Sequence, residues 1–479
     1  MKYVLLALIG LFVAMYAYAV STIEVLGDPD RTTVVWATDP NPARTKQVGI
    51  FEELNPDLEG LVDKSDATKL IVRCATGTGP DVVDIYDVFS LATFAEAGIL
   101  MDLTPFADSL GFGLDDTYAP LREGLSYEGK QYRFPCNVHA NAIIYNTKIL
   151  DDHGAPLPQP DWTWEDFIES ALAVRNNPSK SGEEHIPFAN WNSEWVFRDL
   201  LIGHGGDFFT ADGLHSRLAE EVSVQAIELF RDMALKHDIM PTSAEAKSLS
   251  SQGGWGSGGI AWFFNQQAAY IHIGRWAIVQ VPVYLKRNPD LVENLAAVAL
   301  PRVPGHPSRG IVGTRAAGIN AKTKNPEAAK RFLQYLASRD YGALIAADGD
   351  ALPPNPELAR TGEDLVNEHI TDPAFHQPFI DAVDNGVTIK MSPFIEAQLV
   401  QRWALEAVEQ VENGADPRTA ITRVADRSTT ASAKTCAAGP PCRPNTSRSP
   451  AKLIMTTGGK KKSPRTEDYP YNNATTKTP

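Results

Sequence analysis

The stretch GKQYRFPCNVHANAIIYN, Gly129–Asn146, sets Asn137, His139 and Asn141 at alternate positions. In a strand, alternate side chains share one face, so three hydrogen-bonding groups stand in a row. Such a face suits water at a sheet edge or a polar ligand. Trp36 and Asp39 close the strand-like VVWATDPN, and Asp84, Tyr86 and Asp87 follow the next strand-like run. Ligands of open α/β sheets bind beyond the carboxyl ends of strands. The same aspartates serve equally well in loop capping and turns. Amides, acids and aromatic rings together can hydrogen-bond and stack on a polar ligand. Arg275 and Arg315 are candidates for an anionic group on a ligand, or for salt bridges.

The competing chemistry is glycoside hydrolysis, which needs two carboxylates roughly 5–10 Å apart. Asp39, Asp84 and Asp87 could supply them. No nucleophile elbow or HExxH motif occurs in the sequence. GGWGSGG contains GxGxxG at Gly254, Gly256 and Gly259. It follows a Ser-rich loop and precedes IAWFF, which is the wrong setting for a dinucleotide site, and it reads as a flexible loop.

The elements that must hold these residues alternate. TTVVWAT reads as a buried strand, ARTKQVGIFEELNP as a helix, DVVDIY as a second strand and SLATFAEAGIL as a second helix. This β–α–β–α order predicts an open α/β lobe with a mainly parallel sheet. DWTWEDFIESALAVRNN predicts a helix capped by Asp161 or Thr163. SVQAIELFRDMALKH is amphipathic, and IAWFF and AAYIHIG read as strands. NPEAAKRFLQYLAS carries Pro in its first turn, and AQLVQRWALEAVEQVENG is a long helix ended by Gly414.

With 479 residues, 43% hydrophobic and 22% charged, the chain has globular composition and enough length for two cores. The net charge of −15 argues against a nucleic-acid surface. From Ser428 to Pro479, nine basic residues face two acidic ones, a balance of +7, so the remainder carries −22. That Ser-, Thr-, Pro- and Lys-rich tail is expected to be disordered. At the other end, Lys2, the apolar run Tyr3–Tyr16 and Ala17-Tyr18-Ala19 form a secretory signal pattern, with an uncleaved anchor as the alternative. Of the four cysteines, Cys74 and Cys136 read as buried thiols, and Cys436 and Cys442 could close a small loop. No spacing suggests a zinc site, and no cofactor is expected.

Several motifs in order carry a resemblance: GTGPDVVDIY with FAEAGIL, YEGKQYRFP with AIIYN, DWTWEDF, AAYIHIGRWA, ALPRVPGHPSRGIVGTRAAGI and NPEAAKRFLQYLAS. Over roughly residues 32–427 the chain resembles the extracellular solute-binding proteins of ABC importers, in the cluster of maltose and other sugar binders. The resemblance implies an α/β, two-lobed periplasmic-binding-protein fold with three crossing hinge segments and a central cleft. It divides the chain into a signal at 1–19, a first lobe at 20–138 and 315–352, a second at 139–314 and 353–427, and the tail at 428–479. The segment before Tyr145-Asn146 would cross the hinge, which makes the Asn137, His139 and Asn141 face a ligand face. IVGTRAAGI resembles the second crossing and DALPPNP the third. Trp195 lies where the family often stacks a sugar, Trp276 matches a position that commonly does, and the stretch FANWNSEWVFRD that carries Trp195 also contributes Trp191. Two departures put the ligand's identity in question. Family members often carry an acid where His139 sits, and some sugar binders have a base at Pro40. The implied function is capture of a carbohydrate outside the cytoplasmic membrane and delivery to the membrane-spanning permease subunits of an ABC importer. The expected protein is an exported, non-enzymatic monomer with no nucleic-acid partner.

Overall fold

A computed structural model describes Met15 and residues 30–438, except 40, 42, 65–66, 87, 250–256 and 393. The expected signal segment apart from Met15, the tail beyond 438, Asp87, Pro40, Cys442 and most of GGWGSGG lie outside the described residues. Two sheets organise the chain. The first has order β2-β1-β3-β11-β6: β1 (Thr32–Ala37), β2 (Leu58–Asp63), β3 (Val82–Ile85), β6 (Phe134–His139) and β11 (Gly313–Ile319). β2, β1 and β3 are parallel, and β11 runs antiparallel to both β3 and β6. The second has order β10-β7-β9-β8: β7 (Asn141–Asn146), β8 (Ile186–Ala189), β9 (Ala268–Gly274) and β10 (Leu295–Val298). β4 (Ser126–Tyr127) and β5 (Lys130–Gln131) form a small hairpin.

Each sheet has its own core. Val34, Trp36, Phe51, Val82 and Phe134 pack with Phe332 and Tyr341 in the first lobe. Ile143, Phe167, Phe188, Phe197 and Tyr270 pack with Val400 and Trp403 in the second. The chain passes between the sheets at Ala140, again between β10 and β11, and a third time after Leu352. There, Val138 and Leu352 exchange backbone hydrogen bonds of 2.9 and 2.8 Å. The Pro373–Asn385 helix then places Phe375 and Phe379 among Ala142, Ile144, Ile271 and Ile273 of the second sheet.

Local signals act as elementary chemistry dictates. Thr163 caps the Trp164–Asn176 helix, and Asp166 returns to the Thr163 backbone in a capping box. Gly414, just past the Ala397–Glu412 helix, has φ +87°, open to glycine at little cost.

Two expectations fail. IAWFF is not a strand but lies in the Gly259–Phe264 helix. Ile260, Phe263 and Phe264, three and four apart, are buried, and a short apolar run alone does not separate the two periodicities. The tail does not begin at Ser428, because a helix spans Pro417–Ala438. Ser428 and Ser432 are fully buried, and Ser432 meets Ser392 at 3.2 Å. Small hydroxyl residues let helices approach closely, and composition had registered only their polarity. Among the described residues, no helix is long and apolar enough to cross a membrane.

Candidate functional site

The crossings meet at a buried knot of charge. The Ala43–Leu54 helix turns Arg44 and Gln47 inward with Val48 and Phe51, on one helical face. Arg44 pairs with Asp350 and, at 2.9 Å, with Asp39. Gln47 donates to Asp350 at 3.1 Å and Asn137 donates to it at 3.0 Å. Arg315, on β11, pairs with Asp84 at 2.8 Å and Asp350 at 3.5 Å. Burial alone would raise the Asp350 pKa. Arg44 and Arg315 outweigh it and hold the carboxyl well below its usual range. Asn137, Arg315 and Asp350 each belong to a different crossing, so one network ties all three together.

This knot absorbs several residues expected to touch ligand. Trp36 is buried, its indole N–H donates to Asp84 at 2.7 Å, and its ring packs on Phe332. Asp84 also accepts from Thr38 and Arg315. Asp39 is held by Arg44. None of Trp36, Asp39, Asp84, Asn137 or Arg315 lines the cavity between the lobes. Ionised and polar groups taken from water require partners, and in this lobe they found one another. Arg275 likewise does not line the cavity. It is fully buried and donates to the carbonyls of Ala346, Ala351 and Leu365 and to Nδ1 of His376, so it ties the end of β9 to the third crossing. Burial pushes it down to about 9.

A cavity of about 90 Å³ opens beside the crossing at Ala140, whose neighbours His139 and Asn141 both line it. Tyr86, Val88, Arg133, Thr314 and, at the end of β6, His139 line it from the first lobe, and Asn141, Trp195, Arg198 and Asp199 face them. His139 and Trp195 stack, with centroids 5.4 Å apart and planes 6° from parallel. Burial pushes the His139 pKa down to about 4, so the ring is neutral at neutral pH and carries no charge switch near pH 6.5. Gly313 pairs with His139 across β6 and β11, and a Cβ there would meet the imidazole at 2.7 Å. Asn141 donates to Asp199 at 2.8 Å. Asp199 also accepts from His272 at 2.8 Å and from the Ile311 backbone at 2.7 Å. Nδ1 of His139 and Oδ1 of Asn141 are buried without a hydrogen-bond partner. Such atoms cost about 1–3 kcal/mol each unless something satisfies them.

The three tryptophans form a row, Trp195–Trp191–Trp276, with centroids 5.1 and 5.3 Å apart. Only Trp195 of the three lines the cavity. Trp191 donates to the His272 carbonyl at 2.6 Å, and the Trp276 indole lies over Gly274. The expected set thus divides. Tyr86, His139, Asn141 and Trp195 come together, Trp191 and Trp276 stand behind them, and Asp87 lies outside the described residues. Sequence reasoning missed Arg198 and Asp199. Their signal was present, since they follow Trp195 by three and four positions on the Ser193–Gly203 helix and share its face.

The lobes touch at the cavity rim. Val88 and Ala92 pack against the second core, and Thr388 donates to the Pro120 carbonyl at 2.7 Å. Cys74 and Cys136 are both buried free thiols.

Comparison with known proteins places this geometry. Residues 59–343 match the model of the bacterial extracellular solute-binding protein family. The chain is 24% identical over 346 residues to the diacetylchitobiose binding protein DasA of Streptomyces coelicolor, covering 70% of this chain and 76% of that one. It is 23% identical over 380 residues to a mannitol-binding protein of Pseudomonas aeruginosa, covering 75% and 81%. In three dimensions it resembles an ABC substrate-binding protein of Listeria monocytogenes in complex with cycloalternan, with TM-score 0.69, 20% identity and 84% and 99% of the two chains covered. With the family model matching more than half its length, the chain belongs to the bacterial extracellular solute-binding proteins.

Proposed function

We propose that this protein captures a carbohydrate outside the cytoplasmic membrane and hands it to the permease of an ABC importer. The observation that carries this reading is the pairing of unpartnered Nδ1 of His139 and Oδ1 of Asn141 with the His139–Trp195 stack, at the seam between the lobes. A sugar hydroxyl satisfies the polar atoms, and a ring C–H face covers the aromatic surface. The names of the relatives, a diacetylchitobiose binder and a mannitol binder, support a sugar or polyol. The cavity has room for several waters, so a chain of sugars enters only with the lobes further apart. Closure is stabilised by contacts made in the closed state alone, because a ligand shifts an equilibrium by its differential affinity. The exported form acts as a monomer.

Among the described residues, Asp39 and Asp84 do not form a carboxylate pair for hydrolysis in the cavity. Asp39 and Asp84 are each committed to an arginine and stand outside the cavity. A thermal-shift screen against mono-, di- and oligosaccharides and polyols tests the proposal. A ligand at one hundred times its dissociation constant adds about 2.7 kcal/mol of stability. No shift with any carbohydrate or polyol, or turnover of a glycoside, would overturn the reading.

A further inference from the structure

On the second lobe, away from the cavity, two histidines face each other. His153 ends the Thr147–His153 helix, and His185 stands just before β8. Nε2 of His153 lies 3.0 Å from Nδ1 of His185. Nδ1 of His153 is 2.9 Å from the Asn177 carbonyl. A carbonyl only accepts, so Nδ1 of His153 carries the proton and Nε2 presents a lone pair. That lone pair accepts from Nδ1–H of His185. One proton therefore sits where two imidazole nitrogens converge. The Asp152 carboxylate completes the group, with one ligand atom from each of the three residues within 4.8 Å of the others. Asp152 is itself oriented by Ser181, whose backbone N–H and hydroxyl donate to it at 2.9 and 2.6 Å.

We propose that Asp152, His153 and His185 form a binding site for a divalent transition-metal ion of the zinc type. Two nitrogens about 2.0–2.1 Å from a tetrahedral ion stand roughly 3.3 Å apart, close to the separation found. Imidazole and carboxylate suit such an ion, and a fourth position stays open to water. The supporting contacts are those of a built site. A ligating histidine usually donates its other N–H to a carbonyl or carboxylate, as His153 does to Asn177, and a ligating carboxylate is itself hydrogen-bonded, as Asp152 is by Ser181. The ion replaces the proton shared by the rings. It links the end of a helix to the segment entering β8, residues 32 apart in sequence, and stiffens the second lobe without touching the cavity.

Calorimetric titration of the full chain with zinc chloride, after chelator treatment, tests this. One equivalent should bind the wild-type protein. Loss of a mere supporting contact costs about 10–100-fold in metal affinity, so His185→Ala should weaken binding by at least about 100-fold. Asp152→Asn keeps the bond from Ser181 and should weaken it by about tenfold. His215→Ala, an exposed histidine elsewhere, should change nothing. Zinc should raise the melting temperature of the wild-type chain and not that of His185→Ala. Absence of a wild-type equivalent, or wild-type affinity in either ligand variant, overturns the proposal. Should His185→Ala fail to fold, Asp152→Asn, altered at the surface, decides it alone.

Discussion

The charged knot and the cavity treat buried polar groups in opposite ways. On the first-lobe side, Asp84, Arg315, Asp350, Arg44 and Asn137 satisfy one another, with only Nε of Arg315 left over. At the cavity, His139 and Asn141 each keep a buried atom without a partner beside an aromatic stack. Asn137, His139 and Asn141 follow one another at alternate positions. What differs is whether the protein itself completes the hydrogen bonding. A completed network is expected to govern folding, and an incomplete one to govern binding.

The comparison breaks most severely at Asp350. Asp350→Ala leaves Arg44 and Arg315 buried with less countercharge, and losing one partner of a buried pair costs about 3–5 kcal/mol. Urea melts should show that loss, while the folded fraction keeps its carbohydrate affinity. A loss under about 1 kcal/mol would mean that the knot is not structural.

Next in size is the response to acid. Burial lowers His139 to about 4, and burial followed by the Arg275 charge lowers His376 to about 4. The unfolded chain protonates these rings near pH 6.5, and the folded chain holds them neutral until about pH 4. Between those values the unfolded state binds more protons, so stability is full above pH 6.5 and falls as pH drops, by at most about 3 kcal/mol per ring. Melts across that window check it. His139→Gln and His376→Gln should each flatten part of the slope, and an unchanged slope in both would contradict the assignment.

Trp195→Ala sharpens the other half. It removes the cavity's stacking platform, so affinity should fall by roughly 2–3 kcal/mol, about 30- to 150-fold. Titration calorimetry reads this, and stability should move less than affinity. Trp276→Ala should cost under about 1 kcal/mol of binding, because Trp191 stands between Trp276 and the cavity. Equal losses for both tryptophans would extend the site along the whole row.

The fold was legible where local chemistry and periodicity agree. The Thr163 cap, Gly414 and the alternation through Asn137–Asn146 each specify a backbone state from a few neighbours. The site was legible only in part, for a physical reason. A tryptophan or aspartate at a strand end can turn inward or toward the cleft, and nothing local decides which. Trp36 and Asp84 turned inward because Arg315, more than two hundred positions later, arrives to pair with Asp84. Arg198 and Asp199 could have been found from the helical spacing to Trp195. The helix through Ser428 could not be found from composition, since burial of small hydroxyl groups depends on what packs against them.

The tryptophan row has an optical consequence. Indoles in edge contact at 5.1 and 5.3 Å couple their excited states, so the near-ultraviolet circular dichroism of the chain carries a signature of their mutual geometry. Trp195, at one end of the row, touches both the cavity and His139. A solute that displaces its ring disturbs the coupling along the row. The row thus offers a label-free reporter of occupancy, built from side chains only one of which lines the cavity.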